Sequence, residues 1–186
     1  PSPALNTMPP VTTFAPTPMS INPSVMIVVT GPVVPGPWSA ADIRFQAEQV
    51  ATQKLHNSGF NCVACQVLIL PKDWAQKNTW MEALEKVIRH APPRALYYPG
   101  AQQRLDEFCR HNPDFKSVPR AGTQALVMSP LDLDNARARN TEVFAPALNV
   151  VELDTQQAEA FLIAAIEFSN TQLYGTLRSE EHTSEL

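Results

Sequence analysis

Asn57-Ser58-Gly59-Phe60-Asn61-Cys62 stands between a helix-patterned segment and a short apolar run, Val67-Leu68-Ile69-Leu70-Pro71. Upstream, Ser39-Ala40-Ala41-Asp42 reads as a helix start, with the Ser39 hydroxyl on an orphan amide and Asp42 near the positive helix end. Ile43, Ala47, Val50, Ala51 and Leu55 recur at helical spacing, and Asn57-Ser58-Gly59 closes that helix. The apolar run is continuous, which fits a strand buried on both faces. A helix, a tight turn and a buried strand in that order are the repeating unit of an α/β protein, and here the turn carries a thiol.

The pattern continues downstream. Trp80, Met81, Leu84, Val87 and Ile88 mark a second amphipathic helix before Pro92-Pro93. Ala101 to His111 forms a third, with Leu105 and Phe108 inward. Ala125-Leu126-Val127-Met128 and Leu148-Asn149-Val150-Val151-Glu152-Leu153 read as strands, and Asp154 as the cap of a last helix through Phe161, Leu162, Ala165 and Ile166. This alternation predicts an α/β fold, a three-layer α/β/α sandwich with a mostly parallel sheet. No internal repeat is present.

Composition narrows the function. The 186 residues suffice for one domain with a real core, and 44% apolar with 17% charged residues describes a globular chain. A net charge of -4 gives no basic surface for nucleic acid or anionic lipid. No window reaches the roughly 18 apolar residues of a membrane span, and no signal-peptide pattern is visible. Three cysteines suggest no disulfide framework, so a reducing, cytoplasmic setting is expected.

The two ends differ from the middle. Residues 1–41 contain no Asp, Glu, Lys or Arg, and 10 of the 18 prolines fall within residues 1–37. Residues 1–23 are expected to be irregular or extended, and only Val25-Met26-Ile27-Val28-Val29 reads as a strand. Arg178-Ser179-Glu180-Glu181-His182-Thr183-Ser184-Glu185-Leu186 shifts to charged and polar, and reads as a translated sequencing adapter fused to a truncated reading frame. With its one Arg and three Glu removed, the net charge falls from -4 to -2. The expected organisation is a poorly matching N-terminal segment (1–32), the organised domain (33–177) and a non-native tail (178–186).

A cysteine in a turn beside backbone amides can act as a nucleophile, and the same amides can stabilise an oxyanion. A small packed thiol is the commoner role for such a residue. Cys62-Val63-Ala64-Cys65 also matches CxxC, but the pair precedes a strand rather than opening a helix. Cys109 and His111 lie two apart on a helix and face different directions, which argues against a zinc set with Cys62 and Cys65; no metal is expected. Cys65 reads as packing and Cys109 as a half-buried helix residue. His56, His90 and His111 are candidate partners for a cysteine–histidine hydrolase, but read first as solvated helix ends. Gly31-Pro32-Val33-Val34-Pro35-Gly36 lacks the Lys-Ser/Thr of a phosphate loop.

The middle of the chain resembles the catalytic domain of the NAD(P)-dependent aldehyde dehydrogenase superfamily. Gly59-Phe60-Asn61-Cys62 matches its Gly-x-x-Cys loop, with Asn57, Ala64 and the following strand in keeping. Glu142-Val143-Phe144-Ala145-Pro146 is similar to its Glu-x-Phe-Gly-Pro segment, with alanine for glycine, and also precedes a strand. Asn170-Thr171-Gln172-Leu173-Tyr174-Gly175-Thr176-Leu177 is a weaker third match, and Val34-Pro35-Gly36-Pro37-Trp38 looks like a bacterial branch. Order and spacing agree over residues 33–177.

The resemblance implies an incomplete catalytic domain. Cys62 would attack an aldehyde to give a thiohemiacetal, and its backbone amide would form part of the oxyanion hole. Hydride would pass to NAD or NADP, and the remaining thioester would be hydrolysed to a carboxylic acid. Glu142 would accept hydrogen bonds from the nicotinamide ribose and Phe144 would pack beside the ring. The implied partners are a small aldehyde, a cofactor-binding domain of the same protein, and further copies in a full-length homo-oligomer. The family's general-base glutamate has no counterpart before Asp42, the first acidic residue, and its cofactor domain has none either. The chain alone is therefore expected to lack activity. The alternative class is a non-enzymatic α/β binding module with structural cysteines, or a CxxC zinc or redox domain.

Overall fold

The structure, a computed structural model, describes residues 29–173 and 178–179. Its elements run β1 (Val29–Pro32), α1 (Ala40–Leu55), a short 3-10 turn (His56–Gly59), β2 (Cys65–Pro71), α2 (Lys77–His90), α3 (Ala101–His111), β3 (Lys116–Val118), β4 (Leu126–Pro130), α4 (Ala136–Asn140), β5 (Ala147–Leu153), α5 (Ala158–Gln172) and β6 (Arg178–Ser179). The strands form one six-stranded sheet in the order β3-β4-β5-β2-β1-β6. All neighbours are parallel except β3 against β4. Residues 25–28 of the expected first strand, 174–177 of the third matching stretch and 180–186 of the tail lie outside the described residues.

Helices cover both faces, so the expected three layers are present. On one face α1 and α2 bury Ile43, Val50, Leu55, Trp80, Leu84 and Ile88 against Leu68, Leu70, Leu126, Met128 and Leu148. On the other, α5 lays Phe161, Ala165 and Phe168 on Val67, Ile69 and Val151. Farther along that second face, α3 packs Leu105 and Phe108 on Val127 and Ala147. Odd and even positions of β2 thus serve opposite cores, which is why Cys65–Pro71 is buried throughout. At about 25 cal/mol per Å², each fully buried Leu or Ile here contributes about 1.5–3 kcal/mol.

Local signals set the element ends. Ser39 and Asp42 form a reciprocal capping box at α1. Its hydrogen bonds hold the Asp42 carboxyl below its ordinary range. The Trp74 indole donates to the Gly36 carbonyl and the Gln76 side chain brackets Trp38, fixing the chain between β1 and α1. Two expectations need correction. Asp154 does not cap α5: the cap position is Gln157, because Thr155 N–H first turns back to the Leu153 carbonyl. Ile166 is not inward but 46% exposed, and Phe168 takes the buried position. Among the described residues no helix is long and apolar enough to cross a membrane.

Candidate active site

Two loops enter neighbouring parallel strands side by side. The turn after α1 leads into β2, the segment 141–146 leads into β5, and β2 pairs with β5 from Val67↔Asn149 to Pro71↔Leu153. Both loops therefore emerge at the same edge of the sheet. It is the N-terminal edge of these strands, opposite the carboxyl-end crevice where ligands of open α/β sheets generally bind.

The first loop is a left-handed turn. Asn57 (φ 54°), Ser58 (φ 56°) and Gly59 (φ 82°) follow one another, then the chain bends back through Ala64 N–H to the Asn61 carbonyl, 3.0 Å. Such backbone costs an L-residue about 1–3 kcal/mol and persists only where its surroundings hold it. Here the surroundings are explicit. The Asn57 amide accepts from the Tyr97 hydroxyl and donates to that of Tyr98 at 3.2 Å. Buried Ser58 donates its hydroxyl to the Ala95 carbonyl at 3.2 Å. The His56 ring Nδ1 pairs with the Asn61 amide.

The second loop presses on the first. A β-carbon at Gly59 would lie 2.5 Å from the Ala145 carbonyl oxygen, so only glycine allows this approach. The Phe60 ring stacks on Tyr98 at 4.0 Å, lies 6.0 Å from Phe144, and has the Arg104 guanidinium 4.9 Å over it. Phe144 itself has φ 46°. Among the described residues the non-glycine positions with positive φ are Asn57, Ser58 and Phe144, and all three sit in these two loops.

Beneath the loops lies a polar clamp. The Gln66 amide donates to the Ala64 carbonyl at 3.2 Å. Its oxygen accepts from Val143 N–H at 3.2 Å and from Lys54 Nζ at 3.5 Å. Lys54 is 1% exposed. Burial pushes its ammonium down to about 8, against the opposing pull of Cys65 and Glu142.

Of the residues singled out in the sequence, Cys62 is exposed on the first loop, while Glu142 and Phe144 are half-buried on the second. Cys65 is fully buried, its thiol directed at the Val67 carbonyl, and half-buried Cys109 lies on α3, its thiol pushed up by burial. No group of three His, Cys, Asp or Glu that could hold a metal occurs among the described residues. Glu142 and Phe144 lie on the loop that packs against the thiol-bearing turn through Ala145 on Gly59 and Phe144 near Phe60. Sequence reasoning missed Lys54, Gln66, Tyr97, Tyr98 and Arg104. The signal for Lys54 was there: it falls four residues after Val50 and three after Ala51, on the apolar face of α1.

No family model matches this chain. No curated protein matches it either. Among solved structures it is similar to the gamma-glutamyl-gamma-aminobutyraldehyde dehydrogenase of Burkholderia cenocepacia, with a TM-score of 0.64 and 19% identity over 86% of this chain and 34% of that one. A similar likeness holds for an indole-3-acetaldehyde dehydrogenase solved with NAD+, TM-score 0.63 and 17% identity over 86% of this chain and 34% of that one. The NADP-dependent glyceraldehyde-3-phosphate dehydrogenase of Bacillus halodurans, solved with NADP, gives a TM-score of 0.58 and 9% identity over 87% of this chain and 39% of that one. The chain therefore has the fold of the aldehyde dehydrogenases and spans about a third of the length of the first two structures, 34%.

Proposed function

We propose that the chain is part of the catalytic domain of an NAD(P)-dependent aldehyde dehydrogenase, with Cys62 as its nucleophile. The observation that carries this reading is the contact between the two loops, Gly59 against Ala145 and Phe60 beside Phe144, joining segments about 80 residues apart. Both loops also hold left-handed backbone at non-glycine residues, a feature that concentrates at functional sites.

Cys62 Sγ, as thiolate, attacks the aldehyde carbon. A C–S bond forms and the carbonyl π pair moves to oxygen, where the Cys62 backbone N–H stabilises it. When bound, NAD(P) supplies the hydride acceptor. The C–H bond of the adduct breaks with its electron pair leaving as hydride, the oxygen pair re-forms C=O, and the acyl group remains on Cys62 as a thioester. Water hydrolyses it, releasing the carboxylic acid and the free thiol. Glu142 would accept hydrogen bonds from the ribose hydroxyls, a task suited to an acceptor-only carboxylate. Phe144 would pack beside the nicotinamide. On this reading the adenosine and pyrophosphate would be gripped by a cofactor domain elsewhere in a longer protein.

The test is NAD(P)+ reduction with a panel of aldehydes by the full reading frame that contains this segment. Cys62→Ala should abolish turnover and Glu142→Gln should weaken cofactor use. Undiminished turnover in Cys62→Ala would overturn the proposal. This chain by itself is expected to be inactive, so Cys62-dependent reduction from it alone would refute the division of labour described above.

A further inference from the structure

Arg120 is a buried cation without a counter-charge. It is 7% exposed, and it enters no ion pair among the described residues. Its Nη2 donates to the Pro92 carbonyl at 2.9 Å and its Nη1 to the Gln124 carbonyl at 3.4 Å, while the buried Nε has no partner. The two carbonyls hold the guanidinium in place but carry no net charge. Burial pushes its pKa below the ordinary arginine value, with no carboxylate pulling the other way. A desolvated cation in that state is costly, and a bound anion is what offsets such a cost.

Arg120 also lines a cavity of about 1080 Å³ between α1, α2 and the segment that follows α2. That volume is at the upper end of the ~300–1,000 Å³ usual for small-molecule sites. Its walls are apolar: Ile43 and Leu55 from α1, Ala83 and Val87 from α2, and Pro93 beyond. The charge around it is positive on balance. Glu48 is the carboxylate among the lining residues, and Arg44 pairs with it at 3.9 Å. Lys86 and Arg94 line the cavity as exposed cations and enter no ion pair among the described residues.

We propose that this cavity binds an amphipathic carboxylate, with its aliphatic tail between α1 and α2 and its carboxylate paired with Arg120. One buried guanidinium balances one negative charge, and its planar fork matches a planar carboxylate. Lys86 and Arg94 favour the approach of an anion, and the apolar walls take the tail. The site goes beyond the proposed active site: Cys62, Glu142 and Phe144 are not among its lining residues, although His56 and Asn57 of the thiol turn are.

The test is calorimetric titration of the chain with decanoate at neutral pH, below the concentration at which the probe forms micelles. Decanoate should bind saturably at one site. Decyltrimethylammonium, with the same tail and the opposite charge, should bind at least ~10-fold more weakly, and Arg120→Gln should weaken decanoate binding by at least ~10-fold. Should Arg120→Gln fail to fold, two changes at exposed positions replace it. Thr52→Trp fills the cavity from α1 and Lys86→Glu reverses a charge on its lining, and each should weaken decanoate binding several-fold. Absence of saturable binding, equal binding of the two amphiphiles, or unchanged affinity in folded Arg120→Gln overturns the proposal. Where that variant does not fold, unchanged affinity in either Thr52→Trp or Lys86→Glu overturns it. No readout involves aldehyde, nucleotide or Cys62, so the aldehyde dehydrogenase reading stands or falls separately.

Discussion

Gly59 and Ala145 meet backbone to backbone: the position a Gly59 β-carbon would take lies 2.8 Å from the Ala145 carbonyl carbon and 2.5 Å from its oxygen. Ala145 is fully buried, and its oxygen also accepts from Ala147 N–H at 2.7 Å, so it has nowhere to retreat. This contact joins the thiol turn to the carboxylate loop.

Gly59→Ala should therefore be among the most damaging single-methyl additions in the chain. It combines a left-handed residue with a clash against backbone, about 2–4 kcal/mol together. Urea unfolding should show the midpoint falling while the slope stays constant. A midpoint within error of wild type would mean that the two loops part easily.

The three thiols should separate in alkylation kinetics followed by peptide mass spectrometry. Cys62 is exposed, Cys65 is buried, and Cys109 is half-buried with its thiol pushed up, first by burial and then by the Asp106 charge. At neutral pH Cys62 should react at least ~10-fold faster than Cys109, and Cys65 should label only on unfolding. Equal labelling of all three in the folded chain would favour the structural-cysteine alternative.

Lys54 gives the chain an unusual alkaline limb. Its folded ammonium loses the proton near 8, whereas the unfolded lysine keeps it to 10.5. Between these values the unfolded state binds more protons, so this contribution makes stability rise with pH, by roughly 3 kcal/mol at most. Cys109 opposes it, because a raised thiol makes the folded state hold its proton above 9.0. The difference between wild type and Lys54→Met across that window isolates the lysine. A flat difference would show that Lys54 is solvated.

Glu85 governs part of the acid limb. Burial raises its carboxyl, but hydrogen bonds and charge from Lys116 and then Arg89 outweigh this and hold it below the ordinary 4.5. Its contribution is complete above 4.5 and is lost as pH falls through the depressed value. Glu85→Gln should lose stability at neutral pH and show a shallower acid decline. An acid limb unchanged by the substitution would mean that the Lys116 pair tying α2 to β3 and the Arg89 pair within α2 are energetically idle.

The sequence revealed what was locally periodic. Ile43 to Leu55 and Val67 to Pro71 announced α1 and β2 because spacing and continuity are properties of neighbouring residues. By contrast β3 and α4, three and five residues long, exist through pairing with β4 and the Asn135 cap, and no short window signals that. Ile166 was misplaced because α5 is apolar around much of its circumference, so spacing alone does not choose between Ile166 and Phe168. At the candidate site, the two loops stood out in the sequence, yet the groups that brace them did not. Tyr97 and Tyr98 come from a loop without periodicity, and Gln66 lies inside an apolar strand where a polar residue reads as an exception.

The central ladder carries a consequence of its own. With Val67 opposite Asn149 and Leu70 opposite Glu152, the pairing of β2 with β5 is a ruler that sets where the two loops begin. A slip of one residue would shift one loop by about 3.3 Å along the other and exchange the faces of a strand. Both cores forbid that slip. The distance between thiol and carboxylate is thus guaranteed by leucines and valines that touch neither, and a core substitution far from Cys62 can detune the site while every polar contact around it remains intact.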